Sequence, residues 1–166
     1  MKIISKYFLV SLLILSVISA FAQSGNLVIH GQVENDSTGL GLDSVTVSLI
    51  DMDDNKTIES VMTTSNGKYS FKKTPITDCK ISFSKNNFVS KFCVLELEDN
   101  QNPEEMRELP LVINVSLFEG NMNDFYFLKY VPIAIARYNK NIDNMEWEFS
   151  YFQKIKELID SIKNKK

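Results

Sequence analysis

The chain has 166 residues, 18 of them basic and 21 acidic, with a single histidine and two cysteines. An acidic balance excludes the basic stripe that a nucleic-acid surface needs, and one histidine falls short of the two or three that a catalytic zinc commonly takes. The length allows one domain with a real core, which is too little for a transmembrane barrel or a two-domain enzyme, and no cofactor is indicated.

At the start, Lys2 and Lys6 precede an apolar run from Tyr7 to Ile18, and Ala20-Phe21-Ala22 follows. This pattern predicts a secretory signal peptide over residues 1–22, cleaved before Gln23. The run is shorter than the roughly 20 apolar residues that span a bilayer, so no transmembrane span is expected in the mature chain. Removing Lys2 and Lys6 leaves 16 basic against 21 acidic residues, a charge of −5.

From Leu27 to Leu97 apolar residues recur with period two, the mark of half-buried antiparallel strands. The first strand, Leu27 to Glu34, sets Ile29, Gly31 and Val33 on one face and His30 on the other, solvent-facing side. Polar residues 35–39 make a turn, and the second strand, Ser44 to Asp51, alternates Val45, Val47 and Leu49 with Thr46 and Ser48. Asp53-Asp54-Asn55 turns the chain into a third strand, Thr57 to Thr63. Asn66-Gly67 then signals a hairpin, because a tight primed turn needs positive φ, and a fourth strand carries Tyr69 and Phe71.

Beyond Pro75, Cys79 to Ser84 turns at residues 85–87 and returns as Phe88 to Leu97. Cys79 and Cys93 flank this hairpin. Export would permit a disulfide between them if the register brings them together, with two buried thiols as the alternative. Residues 98–108 read as a polar surface loop, and Leu109 to Leu117 as a seventh strand. Seven short strands predict a mainly β fold, an antiparallel sandwich over residues 23–118. Residues 119–166 read as an aromatic-rich connector, interrupted by Pro132, followed by an amphipathic helix from Met145 on which Trp147, Tyr151, Ile155, Leu158, Ile159 and Ile162 recur at helical spacing.

Several of these segments resemble a known family. Ile29-x-Gly31-x-Val33, the Thr38-Gly39 turn, Val45-x-Val47-x-Leu49 and above all residues 64–71, Thr-Ser-Asn-Gly-Lys-Tyr-Ser-Phe, are similar to carboxypeptidase regulatory-like domains, which are transthyretin- or prealbumin-like sandwiches. The resemblance covers about Leu27 to Leu97. It implies a scaffold or interaction role in exported proteins and brings no catalytic residue with it.

The residue inventory agrees with a non-catalytic reading. The chain holds no Gly-x-Ser-x-Gly elbow and no phosphate-cradling glycine loop, and no two acids are marked as hydrolase partners. Asp51-x-Asp53-x-Asn55 opens like a calcium loop, but Lys56 stands where glycine is required and Met62 where glutamate is. On the helix, Trp147, Tyr151, Ile155 and Ile159 either pack back on the sandwich or meet a partner. Tyr126, Phe127 and Tyr130 offer a stacking platform for a sugar. The expected role is an exported module for protein–protein interaction or cell-envelope assembly, periplasmic, secreted or held at the outer membrane. Its partner would be another envelope or secreted protein, or a glycan; binding of carbohydrate or a small ligand is the alternative, and hydrolysis ranks last.

Overall fold

Alternating burial along the strands pulls the polypeptide into two facing sheets. The structure, a computed structural model, describes residues 27–73, 75, 77–97 and 109–165; the expected signal peptide and the polar loop 98–108 lie outside them. The strands are β1 (Leu27–Asn35), β2 (Thr46–Asp51), β3 (Thr57–Met62), β4 (Lys68–Ser70), β5 (Cys79–Ser84), β6 (Lys91–Glu96), β7 (Leu109–Val112), β8 (Val115–Leu117), β9 (Ala134–Asn139) and β10 (Asn144–Trp147). Helix α1 (Phe149–Lys163) closes the chain. The small sheet runs β4-β1-β7, with β8 continuing beside β1, and the large sheet runs β10-β9-β6-β5-β2-β3.

Between the sheets the inward residues meet as the period-two pattern requires. Ile29, Val33, Tyr69 and Phe71 from the small sheet face Val47, Leu49, Ile81, Phe83 and Leu95 from the large one, all buried. The Phe83 ring stands edge-on to Tyr69 at 5.8 Å, and each such side chain contributes about 1.5–3 kcal/mol by leaving water. Polar groups that enter this core are satisfied: the Tyr69 hydroxyl donates to the Ile113 carbonyl at 2.9 Å, and the Thr63 hydroxyl donates to the Leu42 carbonyl at 2.7 Å while accepting the Val45 amide.

The mainly β sandwich with a terminal helix matches expectation, and four features differ from it in detail. First, the sheets are mixed, because β1 pairs with β7 and β8, and β6 with β9, in parallel. Second, Asn66-Gly67 forms no hairpin. β3 pairs with β2 and β4 with β1, so this turn carries the chain from one sheet to the other. Only Gly67 takes positive φ, at 74°, and the Gly67 amide donates to the Thr64 carbonyl at 2.8 Å. That is a tight turn ended by a left-handed glycine. A Cβ on Gly67 would lie 2.1 Å from the Val33 carbonyl oxygen, so the sequence motif reflects a close approach to β1 as much as a turn.

Third, the seventh strand is broken. Over Gly31 the chain passes so closely that a Cβ there would meet the Ile113 oxygen at 2.0 Å, and across the gap the Gln32 amide donates to the side-chain oxygen of Asn114 at 3.0 Å. Fourth, the stretch read as a connector supplies β9 and β10, which extend the large sheet beyond β6. Its inward positions are Ala134 and Ala136, too small to register as an apolar alternation. The helix therefore starts at Phe149, and Trp147 belongs to a strand.

Candidate functional site

Helix α1 rests on a second, smaller cluster at the side of the sandwich. Val89, Phe118, Phe125, Leu128 and Ile159 are its buried members, with Ile133, Ile155 and Ile162 packed around them. Polar ties fix the helix in place. The Tyr151 hydroxyl donates to the Pro132 carbonyl at 2.9 Å, Lys163 pairs with Asp36, and Arg137 bridges Glu96 and Glu148, the latter at 2.7 Å.

The helix does not close against the small sheet. Between α1 and the outer edge of β7 and β8 runs a groove formed by two cavities that share Asn114, Val115, Ile133 and Phe152. The first, about 300 Å3, is apolar, bounded by Val112, Ile113, Ala134, Trp147 and Phe149, with Cys93 at its base. The second, about 190 Å3, has apolar walls from Phe118, Ile155 and Ile159 and sets among them the charged side chains of Asp36, Lys91, Lys156, Asp160 and Lys163. Three aromatic side chains stand on the rim of the apolar part, with Trp147 37%, Phe149 66% and Phe152 38% exposed.

Lys91 is the one buried charge of the groove. Its ammonium donates to the Ser116 carbonyl at 2.5 Å and lies 4.6 Å from the centre of the Phe118 ring. Burial pulls its pKa down to about 8, against smaller opposing attraction from Asp36. Lys163 also lies over the Phe118 ring, at 4.9 Å.

The four helix positions expected to pack or to meet a partner divide between those roles. Ile159 is buried and Ile155 half-buried in the second cluster, and Tyr151 is tied to Pro132. Trp147 reaches the groove, from β10 instead of the helix. Phe149 and Phe152, which the helical reading passed over, are the groove's other aromatics. Their signal was available: Phe152 continues the packed stripe one turn back, three residues before Ile155 and seven before Ile159, and Phe149 stands three residues before it, so the apolar row runs on toward the start of the helix.

The remaining expected positions fall elsewhere. Cys79 pairs with Leu95 and Cys93 with Ile81, so the two thiols point into the core from rungs two residues apart, unbridged and buried; burial pushes both up to about 12. His30 is half-buried on the outer face of β1. In the acidic turn, Asp51 accepts the Asp53 amide at 2.8 Å and the Thr77 hydroxyl at 2.7 Å, which holds its carboxyl below the usual range, the Thr77 bond first. Asp54 is paired with Lys56 at 2.6 Å, so these carboxylates serve the turn itself. Among the described residues no three acidic, cysteine or histidine side chains cluster as metal ligands, and no helix is long and apolar enough to cross a membrane. Tyr126 and Tyr130 are exposed, but their rings meet at 62° with the hydroxyls 2.9 Å apart, and Phe127 packs against the second cluster; the three rings form no flat platform.

Residues 25–112 match the family described as BOS complex subunit NOMO1-like, second beta sandwich domain. The chain belongs to that family. The matched stretch spans β1 to β7, so β8, Trp147 and the helical wall of the groove lie beyond it. No curated protein sequence matches the chain. Similar solved structures include 3-chlorocatechol 1,2-dioxygenase from Rhodococcus opacus 1CP, with 13% identity, TM-score 0.41, and 59% of this chain and 62% of that one covered. The 5-hydroxyisourate hydrolase of Klebsiella pneumoniae has 15% identity, TM-score 0.42, and coverage of 57% and 92%. For BcpA, the major pilin subunit of Bacillus cereus, the values are 10%, 0.42, 58% and 31%. The chain thus spans less than two thirds of the dioxygenase's length and about a third of the pilin's.

Proposed function

We propose that this protein is an exported, non-catalytic sandwich module that holds another envelope or secreted protein in the groove between α1 and β7–β8. The observation that carries the reading is the trio Trp147, Phe149 and Phe152 on the rim of an apolar cavity. Aromatic side chains around a pocket are the usual anchors of protein interfaces, and neighbouring Ile155 and Ile159 show that the same helix buries its apolar residues where packing allows. The family description, which names a subunit of a complex, fits an assembly role. The resemblance of residues 64–71 to carboxypeptidase regulatory-like domains supports a scaffold of the same kind, and the Lys2–Ala22 pattern supports export to the periplasm or beyond. A glycan reading has less support, since Tyr126 and Tyr130 are not coplanar.

The test is crosslinked capture from the native envelope by the mature protein, compared with a variant carrying Trp147→Ala, Phe149→Ala and Phe152→Ala. The variant should melt as the parent does and capture at least tenfold less of the same identified protein. Undiminished capture by a folded variant would place the contact elsewhere, and robust turnover of the parent in a hydrolase panel would end the non-catalytic reading.

A further inference from the structure

The groove's shape specifies what kind of segment fits it. One wall is a strand edge: among the described residues β7 and β8 pair with β1 alone. The Ile113 amide donates to the His30 carbonyl, and the Leu117 carbonyl accepts the Asp36 amide, both toward β1. Successive peptide groups of a strand point to opposite sides, so those of Val112 in β7 and Ser116 in β8 turn away from β1, toward the groove that both residues line. On this side the Ser116 carbonyl already accepts the Lys91 ammonium, so the groups offered to an incoming strand are those of Val112 and the Ser116 amide. The facing wall is Phe149 and Phe152 of α1, and Trp147 closes one end.

The geometry points to strand addition: a partner's extended segment lies along the β7–β8 edge, apolar side chains toward Phe149 and Phe152, with an acidic residue at the Lys156 end. This rests on the protein-binding reading above and names the class of ligand. An open strand edge offers alternating donors and acceptors that an extended backbone completes and a helix does not. Charge complementarity selects the end group. The charged cavity sets three lysines, Lys91, Lys156 and Lys163, against two aspartates, Asp36 and Asp160, one net positive charge; Lys163 is paired with Asp36 and Lys91 is bound to the Ser116 carbonyl, so exposed Lys156 is the lysine that an incoming carboxylate meets. From Val112 to Ser116 the edge extends about 13–17 Å, the length of roughly five residues of strand.

Trp147 is the only tryptophan of the chain and stands in the groove, so its fluorescence reports occupancy. The probe is an acetylated seven-residue peptide of alternating valine and threonine with a terminal glutamate, made in both orientations and titrated to millimolar concentration against the mature protein. One orientation should shift Trp147 emission to shorter wavelength and saturate. N-methylation of alternate backbone amides on one register should weaken it at least tenfold, whereas the other register is spared. Lys156→Glu should weaken it up to about fivefold without altering the melt, a change that a peptide lacking glutamate does not show. Equal binding of both methylated registers, no shift from any extended peptide, or preferential binding of an amphipathic helical peptide each overturns strand addition. So does sedimentation showing that the groove is filled by a second copy of the chain. If envelope capture still depends on Phe149 and Phe152 in any of these cases, the groove remains the contact surface and only the mode of binding is wrong.

Discussion

The two hydrophobic clusters of this molecule use similar residues to different ends. The sandwich core, centred on Ile29, Leu49, Ile81 and Phe83, is sealed by sheets on both sides and satisfies the polar groups that enter it. The second cluster, around Val89, Phe118, Phe125 and Ile159, is covered by helix α1 and by the short segment that carries Phe125 and Leu128, with no second sheet over it among the described residues. Three aromatic side chains and a buried lysine stand beside it at an open groove. A seam between two sheets can close completely, whereas a helix laid against a sheet's flank leaves one side of its contact to be filled. That difference separates the scaffold from the surface available for binding.

The largest test of this contrast is Phe83→Ala, which should cost about 3–5 kcal/mol; every structural probe should then lose its native signal together, since Phe83 bridges both sheets. Separate melting of the sheets would contradict a single core. Ile159→Ala is expected to cost less, about 2–3 kcal/mol, and to act locally. Hydrogen exchange should quicken along α1 and stay unchanged in β2 and β5, and equal acceleration everywhere would merge the two clusters into one cooperative unit.

Lys91 sharpens the comparison through pH. Burial holds it near 8, below the ordinary 10.5, so below pH 8 the native state carries the full cost of a buried ammonium. Between pH 8 and about 10.5 the unfolded chain binds more protons than the native one, and the cost is relieved as pH rises. Urea midpoints of the parent and of Lys91→Met should therefore move in the parent's favour across that window, by at most about 3 kcal/mol. A gap independent of pH would show that Lys91 is solvated. Using the difference between the two proteins cancels the opposing effect of Cys79, whose raised value lowers stability at alkaline pH in both; Cys93, raised by burial and drawn down by Lys91, is raised further in the variant, which adds to the parent's gain. The smallest stability effect belongs to Phe149→Ser, within about 0.5 kcal/mol for an exposed position, and a larger loss would mean that Phe149 is packed and not presented.

Much of the sandwich was legible because period-two burial is written directly in residues 27–97, where Val45, Val47 and Leu49 need no partner to be recognised. Pairing was less legible. Asn66-Gly67 reads as a hairpin from local turn chemistry, but which strands flank it depends on Gly67 packing against β1, a contact with no local signature. β9 carries no apolar alternation because alanines fill its inward positions, and with β10 behind it the helix starts at Phe149 where apolar spacing alone predicts Met145. The same shift explains the site. A single helical stripe through Trp147 mixed residues that pack with one that is presented, and the groove emerges only when β10 and α1 are separated.

The account's central claim is that partners contact the groove, and site-specific photocrosslinking tests it most directly. A photoreactive side chain at Phe149 is compared with one at Thr57, an exposed residue on the far edge strand β3. The groove position should yield one discrete crosslinked protein from the native envelope while Thr57 yields none. Equal crosslinking from both positions, or a product from Thr57 alone, would contradict it.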